Sequence, residues 1–146
     1  MNIIFRKFIQ KDKNEVISMM RNFYYSPAVS TNGSEEIFEK NFTECMKTSQ
    51  FLQGYVICED EKILGYSMIS KSFSTEFAKE CIWFEDLYLK KEYRNKHIIP
   101  QFIEYLKKLY PEYLFKLEVE EENTHAVYVY EKSGFEKLPY FVMKKY

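Results

Sequence analysis

The sequence predicts an α/β fold, in which helices share one core with strands, its elements running βααβββαβαββ. Three observations carry this reading. Apolar residues in the first third recur at helical spacing. The middle third holds two strand-like runs around a short polar turn, then a third run rich in apolar residues. The remainder interleaves capped helices with strands. A central hairpin followed by strand, helix, strand and helix excludes both a helical bundle and an all-β fold.

Taken in order, Ile3 to Ile9 alternates as a first strand. Val16, Ile17, Met20, Phe23 and Tyr24 make one apolar stripe of a helix that Ser26-Pro27 ends, because the residue before proline is pushed out of the helical region. Ser34 is the expected N-cap of a second helix, with Glu35 and Glu36 in its first turn and Ile37, Phe38, Phe42, Cys45 and Met46 facing the core. Gly54 to Glu59 and Ile63 to Ser72 form a hairpin about Asp60-Glu61-Lys62. Cys81 to Leu89 is apolar at nearly every position, as in a strand covered on both faces, except for the adjacent carboxylates Glu85 and Asp86.

Pro100 is expected to open a third helix carrying Phe102, Ile103, Leu106 and Leu109, bounded by Pro111. Leu114 to Val119 is the next strand. Asn123 then caps a short helix with Ala126, Val127 and Tyr130, closed by Lys132 and Gly134. Phe135 to Leu138 and Tyr140 to Lys145 read as two last strands.

Composition bounds the function classes. The 146 residues suit one domain spanning the whole chain, and 46% hydrophobic with 18% aromatic content excludes disorder. A net charge of −1 gives no global field toward nucleic acid or an anionic membrane, so neither partner is expected. Cys45, Cys58 and Cys81 lie in apolar patterns without neighbouring metal-ligand histidines, and read as buried thiols rather than a redox or metal site. No apolar run approaches the ~20 residues that span a bilayer. A cytoplasmic protein is the expectation. Any of the 13 Tyr and 13 Phe left exposed would suit a homodimer.

Two segments carry chemistry. The first runs Phe84-Glu85-Asp86-Leu87-Tyr88-Leu89-Lys90-Lys91-Glu92-Tyr93-Arg94-Asn95-Lys96-His97-Ile98-Ile99. The second runs Asn123-Thr124-His125-Ala126-Val127-Tyr128-Val129-Tyr130-Glu131-Lys132-Ser133-Gly134-Phe135. The first resembles the fourth strand and the Arg/Gln-x-x-Gly-x-Gly/Ala loop of the GNAT superfamily of acetyl-CoA-dependent N-acetyltransferases. The second resembles that superfamily's Asn-x-x-Ala-x-x-x-Tyr-x-Lys-x-Gly-Phe segment. The resemblance implies a mixed central sheet flanked by helices, acetyl-CoA as co-substrate without a metal, and an amine of a small molecule or peptide as acceptor. One departure stands out. His97 and Ile99 occupy the positions of the small residues that let helix amides approach a pyrophosphate, and Pro100 removes one amide.

Acetyl transfer to an amine needs a base, because an amine of pKa near 10.4 is almost wholly protonated at neutral pH. Glu85 is the candidate, with Asp86 behind it, since strand alternation turns the two to opposite faces. The plain alternative is a surface carboxylate. The resemblance assigns the backbone N–H of Leu87 or Leu89 to the developing oxyanion and Tyr130 to protonation of the leaving thiolate, against the alternative of a core aromatic. It assigns Arg94, Asn95, Lys96, His97, Ile98, Ile99 and Asn123 to CoA, and the stretch Tyr24 to Val29 to the acceptor pocket. Two other readings stay open: a non-catalytic binding or regulatory module with an impaired phosphate loop, and an RNA- or protein-binding domain unconnected with CoA.

Overall fold

The computed structural model describes residues 1–48 and 51–146. β1 (Ile3–Lys7), α1 (Lys13–Tyr24), α2 (Glu35–Met46), β2 (Leu52–Glu59), β3 (Lys62–Ser74), β4 (Lys79–Leu89), α3 (Ile98–Leu109), β5 (Leu114–Leu117) and α4 (Thr124–Lys132) follow one another, with 3-10 turns before α1 and after β4. The strands form one mixed sheet in the order β1-β2-β3-β4-β5, antiparallel through β4 and parallel between β4 and β5. Among the described residues no helix is long and apolar enough to cross a membrane.

Most elements lie where local signals put them. The Ser34 hydroxyl accepts from the Ile37 N–H at 3.2 Å, satisfying one orphan donor of α2. Before α1, the buried Asp12 carboxylate accepts from both Arg6 amino groups, at 2.8 and 3.1 Å, and from the Ile9 N–H at 2.8 Å. α3 begins at Ile98, two residues before Pro100, which a first helical turn tolerates because its amides have no intrahelical acceptor.

One expectation is overturned. Residues 135–138 and 140–145 form no strands here, so the order ends at α4. No neighbouring strand supplies a ladder to that segment among the described residues.

The sheet carries an apolar layer on each face. α1 and α2 bury Val16, Met20, Phe38 and Phe42 against Val56, Tyr66 and Met68. α3 buries Phe102, Ile103 and Leu106 against Tyr55, Ile69, Ile82 and Phe84 on the other face. β3 and β4 approach closely at Gly65, where a Cβ would lie 2.2 Å from the Tyr88 carbonyl oxygen. Cys58 and Cys81 are buried and Cys45 is half-buried, all three as free thiols. Burial pushes each thiol up, Cys45 to about 12.

A bulge resolves the odd pair of carboxylates. Met68 faces Asp86 and the next residue, Ile69, faces Phe84, so Glu85 has no partner on β3. The extra residue slips the alternation. Phe84 faces α3, Asp86 and Tyr88 turn toward α1 and α2, and Glu85 stays exposed. Asp86 is 2% exposed and accepts from the Tyr24 and Tyr66 hydroxyls, both at 2.7 Å. It therefore ties the last residue of α1 to the sheet.

Burial pushes the Asp86 carboxyl up to about 6, against the two phenolic hydrogen bonds and with help from the Glu85 charge. A carboxyl raised on folding favours the native state while protonated, and that contribution is lost as pH rises from about 4 toward 6. Two pKa units correspond to roughly 3 kcal/mol. Urea unfolding between pH 4 and 7 should therefore show wild type losing about that much stability relative to Asp86→Asn. A pH-independent difference between the two proteins would show that Asp86 titrates normally.

Candidate active site

The site begins where two strands part. Parallel pairing of β4 with β5 ends at Phe84 opposite Leu117, whereas β4 stays paired with β3 as far as Leu89. Beyond Leu117 the chain turns away toward α4, and a cavity of about 880 Å³ opens between the diverging backbones. That volume suits a ligand larger than a simple metabolite.

Backbone alternation says which groups face it. The Lys90 N–H donates to the Leu64 carbonyl of β3 at 2.9 Å. Alternate residues of a strand point their amides to the same side, so Leu87 and Leu89 direct theirs away from β3, into the space that β5 has left. The Leu89 carbonyl obeys the same rule, accepting from Arg94 Nε at 3.0 Å. Leu87, Leu89 and Glu85 all lie on the cavity wall.

The connection from β4 to α3 forms one end. Asn95 and His97 both take left-handed backbone, with φ of 63° and 61°. Such a conformation costs a residue with a Cβ about 1–2 kcal/mol, so His97 takes a glycine's geometry without being one. The turn brings the N-terminus of α3 to the cavity, where His97, Ile98 and Ile99 line it and the helix presents its positive pole. Ile99 lines the cavity while its side chain packs against two apolar clusters. Arg94 lines the wall with its guanidinium 5.5 Å from the centre of the Tyr88 ring. Asn95 lines it too, whereas Lys96 is exposed and lies off the wall.

α4 supplies the facing side. The Asn123 side chain accepts from the Ala126 N–H at 3.3 Å, starting the helix at the cavity. At the far end the Gly134 N–H donates to Glu131 and the Phe135 N–H to Tyr130, while Gly134 takes a φ of 98°. This paired C-cap carries its expected apolar contact, a T-shaped approach of the Tyr130 and Phe135 rings at 5.9 Å. The helix stop therefore sets the position of Tyr130, which is half-buried on the cavity wall. Desolvation by the surrounding protein pushes its phenol up to about 12, so it stays protonated at neutral pH.

The wall near the last β4–β5 pair is acidic, with Glu85, held by the Ser70 hydroxyl at 2.5 Å, and with Glu118 and Glu120. Phe23 and Tyr88 add aromatic rings to the lining, the Tyr88 ring facing Arg94. The Ser30 hydroxyl donates to Glu120, linking the α1–α2 connection to the segment after β5. Within the stretch expected at the acceptor pocket, Ser26, Pro27 and Ala28 reach the cavity. Tyr24 turns instead into the core toward Asp86, and Tyr25 is exposed. Phe23, Tyr88, Glu118 and Glu120 were not expected here. The acidic run from Glu118 to Glu122 was the available signal for two of them. Among the described residues no group of three or more His, Cys, Asp or Glu is gathered as a metal site.

A substitution at the helix stop tests this construction. A Cβ on Gly134 would meet nothing within 4 Å, so only backbone strain opposes one. Gly134→Ala should cost about 1–2 kcal/mol in denaturant unfolding and Gly134→Asn clearly less, because asparagine visits the left-handed region more readily. Equal costs would mean that the C-cap relaxes.

Comparison with known proteins agrees with the geometry. The family model described as "Acetyltransferase (GNAT) family" matches residues 16–135. No curated protein matches the chain. Among solved structures, a possible acetyltransferase from Clostridium difficile 630 superposes with a TM-score of 0.80 at 19% identity, covering 99% of this chain and 97% of its own. AAC(6')-Iy, solved in complex with the bisubstrate analogue CoA-S-monomethyl-acetylneamine, gives 0.80 at 12% identity, covering 100% and 99%. Glucosamine-6-phosphate N-acetyltransferase from Arabidopsis thaliana gives 0.70 at 22% identity, again covering 100% and 99%. At such identities the structural likeness speaks for the fold, whereas the family match spans most of the sequence. The chain belongs to the acetyltransferase (GNAT) family.

Proposed function

We propose that the protein is an N-acetyltransferase that moves an acetyl group from acetyl-CoA to a primary amine on a cationic small molecule or peptide, by direct attack in a ternary complex. The observation that carries this is the unpaired edge of β4, whose Leu87 and Leu89 amides enter a cavity bounded at one end by the α3 N-terminus and at the other by carboxylates. Acetyl-CoA supplies the activated thioester. Amides of the loop and of the first turn of α3, with Arg94, would hold its phosphates, and Asn123 would contact its arm. The Leu87 or Leu89 N–H would meet negative charge developing on the carbonyl oxygen.

Glu85 is the group to bind the acceptor cation and take its proton, with Glu118 and Glu120 adding negative potential and the rings of Phe23 and Tyr88 offering apolar and cation–π contact. A phenol that stays neutral can give its proton to the departing sulfur. Tyr130 would do so.

Calorimetric titration with acetyl-CoA tests the reading directly. Sub-millimolar binding is expected, with stability raised by about 2.7 kcal/mol at a hundredfold excess over Kd. No heat and no thermal shift would favour the non-catalytic binding module. In a thiol-release assay across mono-, di- and triamines, Tyr130→Phe should lower kcat by roughly a hundredfold with little change in acetyl-CoA affinity. An undiminished kcat retires Tyr130 as the acid. In the same assay polycationic amines should show lower KM than a monoamine with a neutral tail, and Glu85→Gln should narrow that gap. Equal KM values would leave the carboxylates no part in acceptor choice.

A further inference from the structure

Trp83 is the chain's single tryptophan, and no core cluster includes it. It is half-buried on β4 beside Phe84, which packs on the α3 side, so alternation turns the indole to the opposite face. Its register partner on β5 is Lys116, whose neighbours Phe115 and Leu117 also pack on the α3 side. Its register partner on β3 is Ser70, whose hydroxyl donates to Glu85. Trp83, Lys116 and the Glu85 carboxylate therefore share one face of the sheet.

Lys116 is a half-buried cation without an acid. Its Nζ stands 5.4 Å from the centre of the Trp83 ring and 5.8 Å from that of Phe77, and it forms no ion pair among the described residues. Ring faces attract an ammonium from one side and leave N–H donors free on the other. Phe77 precedes β4, whereas the cavity opens past Phe84. Along this face, carboxylates at the cavity thus give way to a cation seated on aromatic rings.

That order of charge matches a ligand with an ammonium at one end and a carboxylate at the other. A plain polyamine matches only its first half. Trp83 and Glu85 are two strand residues apart, about 6.6 Å at the backbone, a span that a few methylenes bridge. Building on the N-acetyltransferase reading, we propose that Lys116, seated on Trp83 and Phe77, binds a carboxylate of the acceptor. The substrate class is then a diamino acid, acetylated on its side-chain amine.

The thiol-release assay at saturating acetyl-CoA tests this with lysine, lysinamide and cadaverine, which share the reacting aminoalkyl chain and differ at the carboxylate. KM for lysine should lie about tenfold below the other two, the worth of one charge-assisted contact. Lys116→Met should raise KM for lysine by that factor with kcat unmoved, and should not raise KM for cadaverine. Lys116→Arg should keep most of the preference. Trp83 gives a second readout, since lysine but not cadaverine should change its fluorescence, and Lys116→Met should abolish that change. Three equal KM values, or a lysine preference that survives Lys116→Met, overturn the proposal. Wild type that releases thiol with none of the amines defeats the acetyltransferase reading instead. Fluorescence then decides the site: a lysine-specific change lost in Lys116→Met upholds it, and no such change overturns it.

Discussion

Everything at the site depends on β4 being a strand with two unlike edges. From Lys79 to Leu89, save for the bulge at Glu85, one edge is paired with β3, which holds its amides in fixed directions. The other edge is satisfied by β5 only as far as Phe84. A backbone left unpaired by a shifting loop would be disordered, and one zipped on both sides would be closed to any ligand. Support from one side alone leaves donors that are exposed and already oriented. Such preorganisation is what transition-state stabilisation needs, because no dipole has to turn when charge develops.

The cavity built on that edge is electrically asymmetric. The α3 N-terminus and Arg94 make one end positive, and Glu85, Glu118 and Glu120 make the other negative. On the proposed function, an anionic cosubstrate and a cationic acceptor would be sorted to opposite ends before either meets the other. Tyr130 also lines the cavity, and its hydroxyl carries no charge at neutral pH. Asp86 is a carboxylate one residue from Glu85, yet it lies in the core and not on the cavity wall. Its two phenolic partners lock α1 to the sheet and so set where the α1–α2 connection begins.

Features resting on short-range contacts were readable from the residues. The Ser34 and Asn123 caps, the Gly134 stop and most of the apolar stripes of the helices are each decided within about one helical turn and found where the spacing put them. Ile37 and Met46 of α2 and Leu109 of α3, expected on the buried faces, are exposed. The two family-like segments located the face of the molecule that holds the cavity. Features set by pairing between distant residues were not readable. The bulge at Glu85 exists only relative to Met68 and Ile69, and no local signal in Phe84-Glu85-Asp86 distinguishes a bulge from plain alternation. The parting of β5 after Leu117 is likewise a relation between two strands. Tyr140 to Lys145 has a strand's composition, but a strand needs a neighbour, and periodicity does not say whether one is available.

The close approach at Gly65 carries a consequence for how this protein can change over generations. The backbone of Tyr88 lies so near that any larger residue would wedge β3 from β4, next to the amides that open into the cavity. On the proposed function, the cavity residues of the α1–α2 connection and of the segment after β5 can change toward other acceptors without touching that contact. Position 65 cannot. A glycine there is thus a demand of the backbone behind the cavity, whatever side chains the wall carries.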